Sequence, residues 1–112
     1  MLSPELHAQL LRGDRLAAEL PARRTDHRRY IVICGVKSIP TKHPNFDHQP
    51  WRFRIKHYEI HEAFLDEYPG EENLRDYKTE VVADFETLEK AILRLAGKPV
   101  TFQHAAFIDA PY

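Results

Sequence analysis

The chain has 112 residues, 43% of them hydrophobic and 29% charged, with one cysteine and a formal net charge of −1. That length buries a core without disulfides or a structural metal, and the composition excludes a disordered chain. The lone cysteine excludes an internal disulfide and a Cys/His zinc knuckle. With no signal-like start and no apolar run near the roughly 20 residues that cross a bilayer, one cytoplasmic domain that does not enter the membrane is expected.

Ser3-Pro4-Glu5 predicts a helix start: a hydroxyl cap, a proline whose missing N–H is harmless in the first turn, and an acid at the positive end. Leu2, Leu6 and Leu10 line one face of that helix and Gly13 ends it. Asp14 is expected to cap a second short helix, with Leu16 and Leu20 inward and Pro21 as its stop. After the polar run ARRTDHRR, residues 22–29, the β-branched run YIVICGV predicts a central, well-buried strand that carries Cys34 as a core residue rather than a nucleophile. Residues 37–50 hold three prolines and no period, which predicts a long ordered connection with Phe46 and Trp51 packed beneath it.

In WRFRIKHYEIH, Trp51, Phe53 and Ile55 alternate with Arg52, Arg54 and Lys56, so a half-exposed second strand is expected. A phase conflict follows, because the row of Phe53 and Ile55 leads to His57, Glu59 and His61, while Tyr58 and Ile60 also call for burial. A bulge near residue 57 would resolve it by turning the His-Glu-His set to solvent. YKTEVVA, residues 77–83, predicts a third strand after the Pro69-Gly70 turn. Phe85, Leu88, Ile92 and Leu95 repeat at helical spacing between a capping Asp84 and a closing Gly97, and a last strand is expected over residues 100–109. The sum is an α+β fold in a single domain, residues 1–112: an N-terminal helical hairpin and a mostly antiparallel four-stranded sheet, with helices on one face and an amphipathic helix before the last strand.

No nucleophile elbow, phosphate-binding loop or dinucleotide fingerprint occurs. On a strand His57 and His61 stand about 13 Å apart at about 3.3 Å per residue, too far to share one ion. No metal site, no cofactor and no catalytic residue set is expected, although the His43 to His61 region, with Asp47 and His48, keeps a small His/Arg-dependent enzyme as an alternative.

The charge is divided along the chain. Residues 1–56 carry 11 Lys/Arg against 5 Asp/Glu, and residues 57–112 carry 5 against 12. The basic cluster Arg23 to Arg29, extended by Arg52, Arg54 and Lys56, suits phosphates and makes nucleic-acid binding a second alternative. In the acidic half, Glu59, Glu62, Asp66, Glu67, Glu71, Glu72 and Asp76 are interleaved with Phe64, Tyr68 and Tyr77. Aromatic anchors rimmed by carboxylates suit a basic protein partner. The expected function is therefore a non-enzymatic protein-binding module, in its sharpest form an immunity- or antitoxin-type inhibitor of a basic toxin such as a nuclease.

Overall fold

The computed structural model describes residues 2–37, 42–65, 70–108 and 110–111. Helix α1 spans Pro4–Leu10, with the Ser3 hydroxyl accepting from the Leu6 N–H and Gly13 turning the chain at φ +85°. Strands β1 (Arg15–Leu20), β2 (His27–Val36), β3 (Arg52–His61) and β4 (Leu74–Val82) follow, then helix α2 (Phe85–Ala96), strand β5 (Gln103–His104) and helix α3 (Ala105–Ile108). Among the described residues the strands form one antiparallel sheet in the order β4-β3-β2-β1-β5.

Two expectations about elements are corrected. Residues 15–20 are strand β1, not a second helix, so the N-terminus is one helix followed by a β-hairpin. The four-residue spacing of Leu16 and Leu20 fits a period of two as well as one of 3.6, and the sheet decides between them. As a strand, the segment buries Leu16, Ala18 and Leu20 on one face and Ala17 on the other, and pairs with β2 and β5 on its two sides. Six residues in a helix would gain neither ladder.

The final strand is also shorter than expected. Only Gln103 and His104 pair with β1, after which the chain coils into α3, with His104 Nδ1 accepting from the Ala106 N–H. Ala105 and Ile108, three apart, thereby both reach a buried cluster. The sheet has five strands, and its helices lie on both faces.

One face carries Ile31, Ile33, Phe53, Ile55 and Val82 beneath Leu2, Leu10 of α1 and Leu88, Ala91 and Ile92 of α2. Asp84 caps α2 through the Thr87 N–H at 2.7 Å, and Gly97 closes it at φ +76°. The two helices are joined where the Leu2 N–H donates to Glu89 and where His7 stacks on Phe85 at 3.9 Å. The opposite face holds a second cluster of Ala17, Tyr30, Val32, Tyr58, Ile60 and Leu74, covered by Phe64 and Leu65 and by Ala105 and Ile108 of α3.

In the connection before β3, residues 38–41 lie outside the described residues; the rest holds one short 3₁₀ turn, Phe46–His48. Lys37 Nζ donates to the Phe46 carbonyl at 2.7 Å and sits over the Phe46 and Trp51 rings. Cys34 is half-buried rather than central, paired with Arg15 on one side and Arg54 on the other.

Gly35 fixes how closely α1 approaches the sheet. A Cβ there would stand 2.2 Å from the Leu10 carbonyl oxygen and 3.1 Å from the Trp51 ring. Backbone cannot yield as a side chain does, so Gly35→Ala is expected to destabilise the fold by about 1–3 kcal/mol. Urea unfolding checks this as a lower midpoint with an unchanged slope.

Candidate functional site

From His57 to Ile60 every residue of β3 is buried, because both faces of the sheet are covered at this end. His57 is 3% exposed and Glu59 1%, so the expectation that a bulge turns them to solvent is corrected. The irregularity is in β4 instead. His57 pairs with Lys78 but Glu59 with Arg75, so β4 accommodates an extra residue, and Asp76 there takes φ +53°. Strand β3 keeps its alternation: Tyr58 and Ile60 join the second cluster, while His57 and Glu59 extend the row of Phe53 and Ile55 past the end of α2. There was no phase conflict to relieve, because each row has its own cover.

Two buried polar groups on an otherwise apolar row need partners, and the basic loop before β2 supplies them. Glu59 accepts from the backbone N–H of Arg23 at 2.5 Å and of Arg24 at 3.3 Å, and from Arg24 Nη1 at 2.6 Å. The same Nη1 reaches Asp76 at 2.8 Å and, as the leading cause, holds the Asp76 carboxyl below its ordinary range. Next along the row, Arg29 Nε donates to His57 Nε2 at 2.8 Å, and Arg29 Nη2 donates to the Leu95 carbonyl in the last turn of α2 at 2.8 Å. Arg28 is paired with Glu19 on the neighbouring strand. Of the four arginines in the 22–29 run, three are therefore held by partners within the chain and Arg23 contributes its backbone.

These bonds fix the chemistry of His57. Its Nε2 accepts from Arg29, so the neutral ring carries its proton on Nδ1, which is buried with no partner among the described residues. Burial first, then the Arg29 and Arg23 charges, push its pKa down to about 4. With its lone pair held by a guanidinium, the ring has none free for proton abstraction. A cleft of about 260 Å³ lined by Arg23, His57, Asp76, Lys78, Arg94 and Leu95 opens beside it.

The expected partner-binding residues divide into three groups. Glu59 and Asp76 belong to the internal network. Glu62, Glu71 and Glu72 are exposed, and none makes an ion pair among the described residues, while Phe64 and Tyr77 are half-buried against the second cluster. Asp66, Glu67 and Tyr68 lie outside the described residues. Of the histidines, His61 stands with its ring 5.0 Å from that of His27, and His43 Nδ1 accepts from the Asn45 N–H. Among the described residues no group of three or more His, Cys, Asp or Glu is placed to hold a metal ion, and no helix is long and apolar enough to cross a membrane.

Two features escaped the sequence. Phe107, read as a strand residue, is 79% exposed on α3. Asp76 marks the bulge, and its signal was legible: an aspartate is a poor strand former and tolerates positive φ better than its neighbours do.

Compared with known protein families, curated proteins and solved structures, the chain matches none.

The His57 environment predicts a pH dependence. The unfolded chain binds a proton at His57 below about pH 6.5, which the folded chain refuses until about pH 4. Its contribution is therefore complete above pH 6.5 and is lost as pH falls toward 4, by up to about 3 kcal/mol at about 1.4 kcal/mol per unit. His57→Gln keeps an acceptor for Arg29 without the titration. Urea unfolding from pH 7 to 4 should show a shallower fall in stability for that variant than for the native chain.

Proposed function

We propose that the chain is a non-enzymatic protein-binding module whose partner is a basic protein, held at the end of the sheet where β3 leaves and β4 begins. The observation that carries this is the fate of the charges. Arg24 and Arg28 pair from the surface with Glu59, Asp76 and Glu19, and Arg29 is buried against His57, while Glu62, Glu71 and Glu72 remain exposed and outside any ion pair among the described residues. The Glu62 and Glu71 charges reach Arg28 and Lys56 of the basic half only through space, with no direct ion pair among the described residues. Phe64 and Tyr77, half-buried against the second cluster, supply apolar area there. A rim of carboxylates around partly exposed rings favours fast, oriented capture of a cationic surface. An immunity- or antitoxin-type inhibitor that covers a basic toxin is the sharpest form of this reading.

A second reading has one observation in its favour. On the same face, farther along the sheet and sharing a cleft with Tyr77, the open part carries Arg15, Arg52, Arg54 and Lys56. Burial, with the Arg15 and Arg54 charges, holds the Lys56 ammonium below its ordinary pKa. Crowded cations of this kind suit an anionic partner such as nucleic acid. Against it, three of the four arginines of residues 22–29, Arg24, Arg28 and Arg29, are held by partners within the chain.

Charge reversal at the two patches separates the readings. In affinity capture from the native cells, Glu71→Lys with Glu72→Lys is expected to weaken retention of a basic protein, most at low salt, with the loss in the association rate. Arg52→Glu with Arg54→Glu should leave that retention nearly unchanged. Loss of binding only in the arginine variant, with nucleic acid in the native eluate, would replace the first reading by the second.

A further inference from the structure

Strand β4 is an edge of the sheet: it pairs with β3 on one side and with nothing among the described residues on the other. Beyond the Asp76 bulge its run from Tyr77 to Val82 is regular, paired residue for residue from Lys78 against β3. A free edge of this length is a template for another strand, and Lys78, Glu80 and the Asp76 bulge guard it against indiscriminate pairing, so only a strand that answers these charges can add to it. Val81 is 47% exposed. Open clefts flank the edge on both faces, one of about 450 Å³ between β4 and Arg94 and Leu95 of α2, the other of about 390 Å³ between β4 and Arg54 and Lys56 of β3.

The sequence of the edge selects the occupant. If a second copy of β4 is laid antiparallel about a two-fold axis through Thr79, Lys78 of each copy falls opposite Glu80 of the other, Tyr77 falls opposite Val81, and Thr79 faces Thr79. Lys78 and Glu80 lie on the helix-covered face, so the two opposite-charge pairs form there. The two aromatic to β-branched pairs form on the other face, and both kinds of cross-strand pair are favourable. An isologous contact requires this property, that one patch complement itself. A basic strand would meet Lys78, Arg94, Arg54 and Lys56 along these clefts, and an acidic one would meet Glu80. We propose that β4 is the self-association edge of this protein, through which two copies form a continuous ten-stranded sheet by antiparallel β4 pairing centred on Thr79.

The surface is separate from the acidic rim except at Tyr77, so its fate does not decide the partner reading. Analytical ultracentrifugation over a concentration series is expected to show a monomer–dimer equilibrium for the native chain. Lys78→Glu and Glu80→Lys each turn both charged pairs repulsive and should each raise the dissociation constant by on the order of tenfold. An equimolar mixture of the two single variants restores both pairs, since the Lys78→Glu strand carries acids at both positions and the Glu80→Lys strand carries lysines at both. The mixture should dimerise about as well as the native chain. Circular dichroism of each variant controls for folding, and the mixture tests complementarity apart from the Arg94 to Glu80 ion pair that the second substitution removes. A native chain that stays monomeric throughout, or a dimer indifferent to the single changes and to their mixing, would overturn the proposal.

Discussion

The carboxylate of Glu59 is the constraint on which the rest of the structure depends. It sits near the end of β3, between β2 and β4, and is 1% exposed in a row that is otherwise apolar up to His57. A carboxylate there is tolerable only if its oxygens are fully bonded. The loop between β1 and β2 provides two backbone N–H groups and one guanidinium from consecutive residues, so the path of that loop is set by a single side chain on another strand. Asp26 at φ +58° then turns the chain into β2, and its carbonyl accepts from the Glu62 N–H, closing the same end of the sheet.

From that clamp the electrostatic layout follows. Arg24 bridges Glu59 to Asp76, the residue at the β4 bulge, and so links the loop, β3 and the edge strand β4 through one guanidinium. Arg29 links the next position of the row to the C-terminal carbonyls of α2, where a cation is favoured by the helix dipole. Three of the four arginines that look like an anion-binding run in the sequence hold partners within the fold, Arg29 in its interior and Arg24 and Arg28 at its surface. The remaining exposed charges of that face are the acids before β4 and the cations of the open sheet, which meet at the cleft of Tyr77, Arg54 and Lys56.

How much of this could be read in advance depends on the kind of signal. Helices α1 and α2 were legible at their ends, because Ser3-Pro4 and Asp84 to Gly97 are local chemistry that the tertiary fold leaves alone. Strands β2 and β3 were legible from composition and alternation. The segment 15–20 was not, since its leucine spacing satisfies two periods and only pairing with β2 and β5 selects one. The burial of Glu59 was hidden for a related reason: an acid flanked by Tyr58 and Ile60 looks like the exposed half of an alternation, and its partners lie 35 and 36 residues away. The division of charge between the halves was visible, but which arginine would turn inward is decided by the register of β2 against β3, which places Arg29 opposite Glu59.

The central claim is that the basic loop serves the fold through Glu59 rather than a partner through its arginines. A double-mutant cycle on stability with Arg24→Ala and Glu59→Gln tests it most directly. If the two side chains form the clamp, the double variant should be less destabilised than the sum of the singles, with an interaction energy of about 1–3 kcal/mol. Effects that add to within about 0.5 kcal/mol would contradict the account, because they would place Arg24 outside the network that holds Glu59.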